Sequence, residues 1–427
     1  GIDSYLSYGS IQPPNTIFKN IKCLLPGYIL KVNINGKILE NKSFCSGFNY
    51  THSSRQFSEK DIIDLVKRYY FADVPVGIFL SGGYDSTLLA FLASRISKNR
   101  INTFNLKFSE NPTFSEHIQA RKISKKLNSI HHELDIKKED MLKMLPSFFK
   151  SMDQPTDDGL NIFLLSKFLK NKKFKACFHG VGGDEIFGGY PSFKDIPSIK
   201  NLKFIPRIIR VLLSKVLNEN HITFSKLKSF LTSDFSVLEL FLIRRQNFSF
   251  FQRKSLWSKT PPLGKFGVSD EWLKFIKMKL NNCKTKFDKI SKLELFQYCS
   301  NKLLVDCDVM SMKSSLEVRT PFLDEDFVKS NQNIRSKKEL VSQFKDFPIE
   351  LMSKRKTGFT LPFQEWMCFQ NENEIHHCIR NLNKRLGFSK DYLRDILLKN
   401  KLKGKYSWLR IWQIKVLHNW LQENSDI

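Results

Sequence analysis

An apolar segment that runs directly into a turn of serine and glycine places the strongest constraint on this chain. Residues 76–80 read VGIFL, and residues 81–86 read SGGYDS. Glycine adopts the positive φ of a tight turn and lets backbone N–H groups approach an anion, and the first turn of a helix is partly positive. The segment therefore predicts a strand, a phosphate-binding turn and a helix in succession, which is the repeating unit of an α/β protein with a parallel sheet.

Asp85 lies within this turn. A carboxylate repels bare phosphate, whereas Mg²⁺ is commonly held by one or two carboxylates together with substrate phosphates and water. The turn lacks the lysine of a Walker loop, so its pattern favours pyrophosphate over a transferred γ-phosphate. For this motif taken alone, a glycine turn without a ligand is the alternative interpretation.

The rest of the chain alternates between the periodicities of helices and strands. The predicted helices are 59–71, 86–98, 115–127 and 160–170, and the predicted strands are 76–80, 101–108, 131–134 and 174–179. This alternation predicts a doubly wound parallel sheet, in which ligands bind beyond the carboxyl ends of the strands. Residues 190–290 and 291–427 are predicted to be mainly helical and to add a helical layer. Residues 205–217 are basic and amphipathic, so both a helix packed on the sheet and a helix at a membrane surface stay open.

The first residues differ in character from the rest. Turn signals such as Pro13-Pro14 and Asn35-Gly36 surround a short β-prone run at residues 28–32. We predict that residues 1–55 are the C-terminal remnant of a β-rich domain, and that residues 56–427 form a second domain. Because the first residue is glycine rather than methionine, we expect a processed chain or a piece of a longer one.

Composition excludes several classes of protein. The net charge of the 427 residues is +27, but the basic residues are spread along the chain and indicate no specific nucleic-acid site. The eight cysteines contain no CxxC pair, which argues against a zinc knuckle or a redox motif. No apolar run approaches the roughly 20 residues that span a bilayer, and no signal-peptide pattern is present. We expect a cytoplasmic protein without a membrane span.

A second glycine-rich turn follows another predicted strand. Residues 179–190 read HGVGGDEIFGGY and include Gly182, Gly183 and Asp184. If the two strand ends share one crevice, Asp85 and Asp184 can ligate the same Mg²⁺. Two carboxylates that converge on a pyrophosphate-bound metal are expected of an enzyme that cleaves ATP between its α and β phosphates.

Two further clusters lie in the second half of the chain. Residues 306–324 alternate charged and apolar side chains, which predicts a buried wall with internal ion pairs or a purely structural pairing of Glu317 with Arg319. Residues 354–362 read KRKTGFTLP. Lys356 on this glycine loop can stabilise charge that develops on phosphate in a transition state, and a solvated basic loop is the alternative.

In this order, the four clusters resemble asparagine synthetase, the glutamine-dependent class II amidotransferase family. SGGYDS matches the family's SGGxDS pyrophosphate motif, and GVGGDEIFGGY, SLEVRTPFLD and KTGF-x-x-P resemble its later signatures. Residues 6–30 resemble the closing segment of the family's N-terminal glutaminase domain. The catalytic cysteine of that domain is missing here, and Cys23 is no candidate for it because it lies in the closing segment.

The resemblance implies an adenine-nucleotide alpha-hydrolase-like fold of the ATP pyrophosphatase type. It implies ATP and Mg²⁺ as cofactors, activation of a carboxylate (aspartate by default) as an acyl-adenylate with release of pyrophosphate, and attack by ammonia. On matching positions it assigns Asp85 and Asp184 to Mg²⁺ and Lys356 to the transition state. It assigns the following residues to the nucleotide: Leu80, Ser81, Gly82, Gly83, Asp85, Ser86, Phe108, Gly182 and Gly183.

Two positions depart from the family pattern. Val181 replaces the acidic residue three positions before Asp184, and a valine cannot accept a proton from an incoming amine. We therefore expect Asp158, or its neighbour Asp157, to take this catalytic role, or the amine to be a different one. Val305 stands where arginine is frequent in the family.

These departures leave other functions open. A related amidotransferase that acts on a sugar or peptide carboxylate is one alternative, a tRNA-modifying adenylating enzyme is another, and an inactive remnant is a third. The expected partners are small-molecule substrates. A separate glutaminase chain and a homodimer stay open, and no specific nucleic acid is expected.

Overall fold

The strands of the protein form two sheets. The computed structural model describes residues 1–44, 58–111, 116–218, 221–331, 333–352, 362, 366, 371–398 and 408–424. The strands are β1 (Tyr28–Val32), β2 (Ile38–Ser43), β3 (Val76–Phe79), β4 (Asn102–Lys107), β5 (Ile130–Asp135), β6 (Ala176–Phe178) and β7 (Glu317–Arg319). β1 and β2 pair as an antiparallel hairpin, and the other five strands form a parallel sheet in the order β5-β4-β3-β6-β7.

α-Helices cover both faces of this sheet. In chain order they are α1 (Ile2–Tyr8), α2 (Glu59–Tyr70), α3 (Tyr84–Ile96), α4 (His117–Lys126), α5 (Lys138–Ser151), α6 (Leu160–Asn171), α7 (Gly183–Ile186), α8 (Ser192–Lys200), α9 (Arg207–Val216), α10 (Ile222–Leu231), α11 (Val237–Arg245), α12 (Phe250–Trp257), α13 (Asp270–Leu280), α14 (Lys286–Leu293), α15 (Leu304–Met312), α16 (Glu325–Ser330), α17 (Lys337–Val341), α18 (Glu372–Leu386), α19 (Lys390–Leu398) and α20 (Trp408–Glu423). A π-helix, Glu294–Leu303, joins α14 to α15. No helix of the described ranges is both long and apolar enough to cross a membrane.

The direction of winding reverses at the centre of the sheet. The chain runs outward from β3 through β4 to β5, and then returns to place β6 on the other side of β3. In open α/β sheets such a reversal opens a crevice beyond the carboxyl ends of the two central strands. The turns after β3 and β6 both lie at this switch point.

The central strands are apolar throughout because helices cover both sheet faces. Every residue of β3 is buried. Ile78 packs in one core cluster with Leu88, whereas Phe79 packs in the other with Leu165. This alternation follows from the period of two along a strand and fixes which side of β3 faces which helical layer.

The structure confirms the predicted fold class, an α/β doubly wound parallel sheet with an added helical layer. The sequence patterns missed α5 and β7, and they also missed α1, a helix within residues that were predicted to be β-rich. β7 has three residues, which are too few to show a strand periodicity, and it pairs with β6 at the edge of the sheet. The helical layer has its own core around Trp272, to which α8, α11, α13 and α14 contribute. α9 lies against α10 and leaves its apolar side exposed.

The N-terminal residues divide into a buried helix and an exposed hairpin. Tyr5 in α1 is fully buried, and its hydroxyl donates a hydrogen bond to the Gln413 carbonyl in α20. Asp3 accepts hydrogen bonds from Arg253 and Trp257, both in α12. Residues 1–12 thus pack with elements from the far end of the chain, while β1 and β2 are largely exposed. The domain boundary near residue 55 stays a prediction.

Candidate active site at the switch point

The turn after β3 is closed by two serine hydroxyls. The Ser81 N–H donates to the Ser86 hydroxyl at 3.2 Å, and the two hydroxyl oxygens lie 3.0 Å apart. The Gly83 N–H donates to the Ser81 hydroxyl at 3.3 Å. Gly82 adopts a φ of 89°, which explains why the turn needs glycine. Gly83 precedes α3, so the turn opens at the partly positive end of a helix.

The turn after β6 is built in a similar way and begins the short helix α7. Gly182 has a φ of 102°, and its N–H donates to the Glu185 carboxylate at 3.0 Å. The Tyr190 hydroxyl donates to the other oxygen of Glu185 at 2.8 Å. Burial, together with the nearby charge of Asp184, raises the pKa of Glu185 to about 7, although the hydrogen bond from Tyr190 opposes the shift. Because Glu185 accepts hydrogen bonds from both Gly182 and Tyr190, it holds the two ends of this turn together.

Glycine lets the two turns touch. A Cβ atom on Gly183 would lie 2.2 Å from an Asp85 carboxylate oxygen, and one on Gly180 would lie 2.9 Å from the Asp85 Cβ atom. Any side chain at either position would push the β3 turn away from the β6 turn. The condition that the two strand ends share one crevice is met, because the two turns are in direct contact.

Asp85 and Asp184 converge on one cation in this crevice. The ammonium of Lys337, the first residue of α17, forms ion pairs with both carboxylates. All three side chains are largely buried. Burial lowers the pKa of Lys337, but Asp85 and Asp184 outweigh it, so the pKa is raised. Because a single ammonium reaches both carboxylates, the pair fits a bound cation. Among the described residues no group of three or more His, Cys, Asp or Glu side chains is arranged around a metal position.

The two residues expected beside the adenine lie inside the sheet layers. The side chains of Leu80 and Phe108 are both buried, and Phe108 makes an edge contact with Trp366. The Leu80 carbonyl accepts a hydrogen bond from the Asn105 amide at 2.6 Å. Both residues follow the ends of neighbouring strands, which is where a nucleotide would lie. Their contact with adenine stays a prediction.

A polar cavity of about 260 Å³ lies at the same end of the sheet. Residues from five parts of the chain line it: Tyr8, Ser10, Gln12, Asp157, Asp158, Arg245, Asn247, Gln297, Tyr298, Lys302, Trp408 and Leu409. Gln297 and Lys302 are five residues apart on the π-helix, whose i to i+5 repeat brings them to one side. π-Helical turns are frequent at functional sites.

A buried ion pair forms one wall of this cavity. Lys302 pairs with one oxygen of Asp157, and the Asn247 amide donates to the other oxygen at 2.7 Å. Burial raises the pKa of Asp157, although Lys302 opposes this shift. Arg245 is held rigidly on another wall, because it pairs with the buried Glu294 and stacks 3.8 Å from the Tyr298 ring centroid.

Asp158 connects the cavity with the β6 turn. Its carboxylate accepts the Gly159 N–H at 2.8 Å, and its side chain is half-buried on the cavity wall. Burial lowers the pKa of His179, at the start of the β6 turn, to about 4, and the nearby charge of Asp158 partly opposes this shift. Val181 is buried two residues further on. The candidate carboxylate Asp158 is thus close enough to His179 for its charge to influence the β6 turn.

The other predicted site residues have separate outcomes. Lys356 lies outside the described residues, as does most of the cluster at 354–362. Glu317 and Arg319 form an ion pair of 2.9 Å at the outer end of the sheet, and Arg319 also donates to the Tyr69 carbonyl. This supports the purely structural interpretation of the third cluster. Val305 is exposed in α15.

The fold and the two turns agree with what comparison with known proteins finds. A family model described as asparagine synthase matches residues 59–422. The chain belongs to the asparagine synthase family. The predicted resemblance is therefore confirmed.

The sequence identity to individual curated relatives is low, and the first two relatives described here are longer than this chain. The chain is 24% identical over 450 residues to asparagine synthetase (glutamine-hydrolyzing) 1 of Bacillus subtilis, an alignment that covers 100% of this chain and 69% of the relative. It is 26% identical over 328 residues to a putative asparagine synthetase of Mycobacterium tuberculosis, with 71% of this chain and 47% of the relative covered. A segment of 159 residues is 31% identical to the asparagine synthetase of Zea mays. The chain thus spans roughly half to two thirds of the length of the first two.

The sequence patterns missed three charged residues of this region. Lys337 belongs to no glycine-rich motif and is one of many lysines in the chain. Arg245 and Lys302 lie in helices whose pattern predicts only packing. A buried position for a charged side chain was the available signal in each case, and burial follows from tertiary contacts rather than from local pattern.

Proposed function

We propose that this chain is the synthetase part of an ATP-dependent, amide-forming enzyme of the asparagine synthetase type. In this reaction ATP activates a carboxylate, aspartate by default, as an acyl-adenylate, pyrophosphate leaves, and ammonia attacks the adenylate. The observation that carries the proposal is the convergence of Asp85 and Asp184 on one cation where the turns after β3 and β6 meet. Membership of the asparagine synthase family supports it.

The residues of the two turns have separate tasks in this proposal. The hydroxyls of Ser81 and Ser86 and the N–H groups at the start of α3 bind the pyrophosphate part of ATP. Mg²⁺ held by Asp85 and Asp184 would neutralise charge on the leaving pyrophosphate. Lys337 holds the two carboxylates together until Mg²⁺ takes the position between them, and its ammonium then adds positive charge beside the leaving group. Lys356 keeps its predicted role at the transition state.

The cavity is the proposed site of the acceptor. Arg245 provides positive charge for an acidic group, and Asp158 also lines the cavity. Since Val181 cannot take a proton, Asp158 is the proposed base for the incoming ammonium. Its half-buried position allows it to contact substrate, whereas Asp157 is occupied by Lys302 and Asn247.

A sugar or peptide carboxylate is the second candidate acceptor. Besides its charged groups, the cavity presents the neutral hydrogen-bonding side chains of Ser10, Gln12, Asn247, Gln297 and Tyr298. Such groups suit an acceptor that is rich in hydroxyl or amide groups. The loss of the usual acid at Val181 points in the same direction.

The hairpin supports a proposal about ammonia supply. Ile29, Leu30, Ile34, Ile38 and Leu39 are all exposed on β1, β2 and the turn between them. Two strands alone rarely leave so many apolar side chains in water, so we propose that a β-rich glutaminase, either as further residues of the same protein or as a separate chain, covers this hairpin. The described chain alone is then expected to use ammonium better than glutamine.

Two assays separate activation from amide formation. The first is exchange of labelled pyrophosphate into ATP with Mg²⁺ and each acceptor in turn: aspartate, glucuronate and an acetylated peptide carboxylate. The second is amide formation after ammonium is added. Aspartate-dependent exchange with asparagine as the product supports the default acceptor. Exchange with another carboxylate alone supports the second candidate, and exchange with none contradicts the proposed function.

The Asp158→Asn variant tests the proposed base. We expect acceptor-dependent exchange to persist while amide formation falls by about 100-fold, the usual order for loss of a general base. Asp153→Asn, a loss of an exposed carboxylate five residues earlier, is the matched control. Equal loss of both activities in Asp158→Asn would assign it to acceptor binding instead.

A further inference from the structure

α9 is an amphipathic helix that buries polar side chains and exposes apolar ones. Its buried side chains are Arg210 and Ser214. Arg210 donates hydrogen bonds to the carbonyls of Ile205 and Leu231 at 3.0 Å, so the helix is attached to the protein through its polar side. The apolar side points outward. A surface helix of a globular protein normally buries its apolar stripe and exposes its polar one.

The outward side is continuous. Ile208 is 76% exposed and Val216 is 85% exposed, and Phe204 just before the helix is 87% exposed. Residues 208, 212 and 216 follow each other at one helical turn, and residues 209 and 213 lie next to them. We define the α9 surface by its exposed apolar residues and the basic residues beside them: Lys203, Phe204, Arg207, Ile208, Ile209, Leu212, Leu213, Lys215 and Val216.

The charge of this segment has one sign. Residues 196–218 contain Lys200, Lys203, Arg207, Arg210 and Lys215 but neither aspartate nor glutamate. Three of these basic residues are exposed beside the apolar side chains, at positions 203, 207 and 215. An apolar face bordered by lysine and arginine is the pattern of helices that lie in the interface of a bilayer.

We propose that the α9 surface docks the protein on an anionic phospholipid bilayer. A second copy of the chain is a poor occupant, because it presents the same positive face and carries the same net charge of +27. A nucleic acid would satisfy the charges but offers no apolar layer for Ile208, Leu212 and Val216. An anionic bilayer offers both, since acidic headgroups pair with the basic residues and the acyl region accepts the apolar side chains.

Vesicle co-sedimentation of the purified chain tests this proposal. The probes are vesicles of phosphatidylcholine alone and of phosphatidylcholine with about one third phosphatidylglycerol, at low and high salt. We expect binding to the anionic vesicles, weakened by salt, and little binding to the neutral ones. In the triple variant Ile208→Ser/Leu212→Ser/Val216→Ser, we expect the partition coefficient to fall at least about tenfold, because three inserted side chains are lost.

A charge variant separates specific docking from general attraction of a basic protein. Arg207→Glu/Lys215→Glu on α9 is compared with Lys122→Glu/Lys125→Glu on α4, which makes the same change of charge at exposed positions. We expect the α9 variant to lose much more binding than the α4 variant. Thermal unfolding by circular dichroism checks that each variant is folded.

Three outcomes would overturn the proposal. Equal loss in the two charge variants would show that only the net charge matters. Unchanged binding of the folded triple variant would exclude the apolar face. If light scattering shows a dimer that the triple variant converts to a monomer, and no vesicle binding is seen, the α9 surface is a contact between copies instead.

Discussion

The two buried lysine clusters at the carboxyl end of the sheet are built in different ways. Lys337 joins two carboxylates that come from two different turns. Lys302 joins one carboxylate, Asp157, whose other oxygen is taken by Asn247. The first cluster suits exchange of its ammonium for another cation, whereas the second suits a fixed wall. The local backbone explains how the first cluster forms, because Gly180 and Gly183 have no side chain and let the turn before Asp184 lie against Asp85.

Loss of one carboxylate from the Lys337 cluster should have the largest effect. In Asp85→Asn we expect acceptor-dependent pyrophosphate release to fall at least about 100-fold, because a group that organises charge around the pyrophosphate is removed. The fold should persist, since the residue lies on a turn and asparagine has the same shape. Asp64→Asn on the exposed side of α2 is the control. Near-normal turnover of Asp85→Asn would contradict a role of the Lys337 cluster in pyrophosphate release.

Loss of Lys302 should act on stability instead. Lys302→Met leaves the buried Asp157 without its ammonium, and breaking such a pair costs about 3–5 kcal/mol. Urea unfolding measures this cost, with the exposed Lys172→Met as the control. Adding Asp157→Leu to Lys302→Met should recover much of the loss, because an apolar replacement of the whole pair avoids the buried charge. A cost below about 1 kcal/mol would show that this wall is not held by the ion pair.

Magnesium should distinguish the two clusters directly. In Lys337→Met the repulsion between Asp85 and Asp184 rises, so Mg²⁺ at this position should stabilise the variant more than the wild type. We expect Mg²⁺ to raise the Tm of Lys337→Met by about 2 °C or more beyond its effect on the wild type. Lys338→Met, an exposed neighbour, is the control. Equal shifts in all three proteins would argue against a cation site between the carboxylates.

The smallest expected effect is on the pKa of His179, which lies at the start of the β6 turn and interacts with Asp158 on the cavity wall. Its pKa is lowered to about 4 by burial, and Asp158 opposes the shift. Because the folded-state pKa is below the unfolded one of about 6.5, His179 favours the folded state above pH 6.5, and this contribution is lost as the pH falls towards 4. Asp158→Asn should lower the pKa of His179 further, as NMR titration of its ring can show. An unchanged pKa would mean that the cavity and the β6 turn are not coupled.

Much of the fold could be predicted because its signals are local. The run at residues 76–80 and the alternation of helix and strand patterns predicted the parallel sheet. Glycines at 82 and 182 predicted turns, and both adopt a positive φ. β7 could not be predicted, since three residues carry no periodicity, and its pairing with β6 depends on a segment about 140 residues away along the chain.

The site shows the same division. By itself, the sequence determined the chemistry available at the two turns, because SGGYDS and GVGGDE specify backbone shape and carboxylate positions locally. Only the tertiary structure decided that Gly183 and Asp85 touch, that Lys337 lies between the carboxylates, and that Lys302 and Arg245 line a cavity. It also decided that α9 faces outward, although its pattern equally suits burial. The physical reason is that a local pattern fixes backbone conformation, whereas burial and charge pairing depend on which distant segments the fold brings into contact.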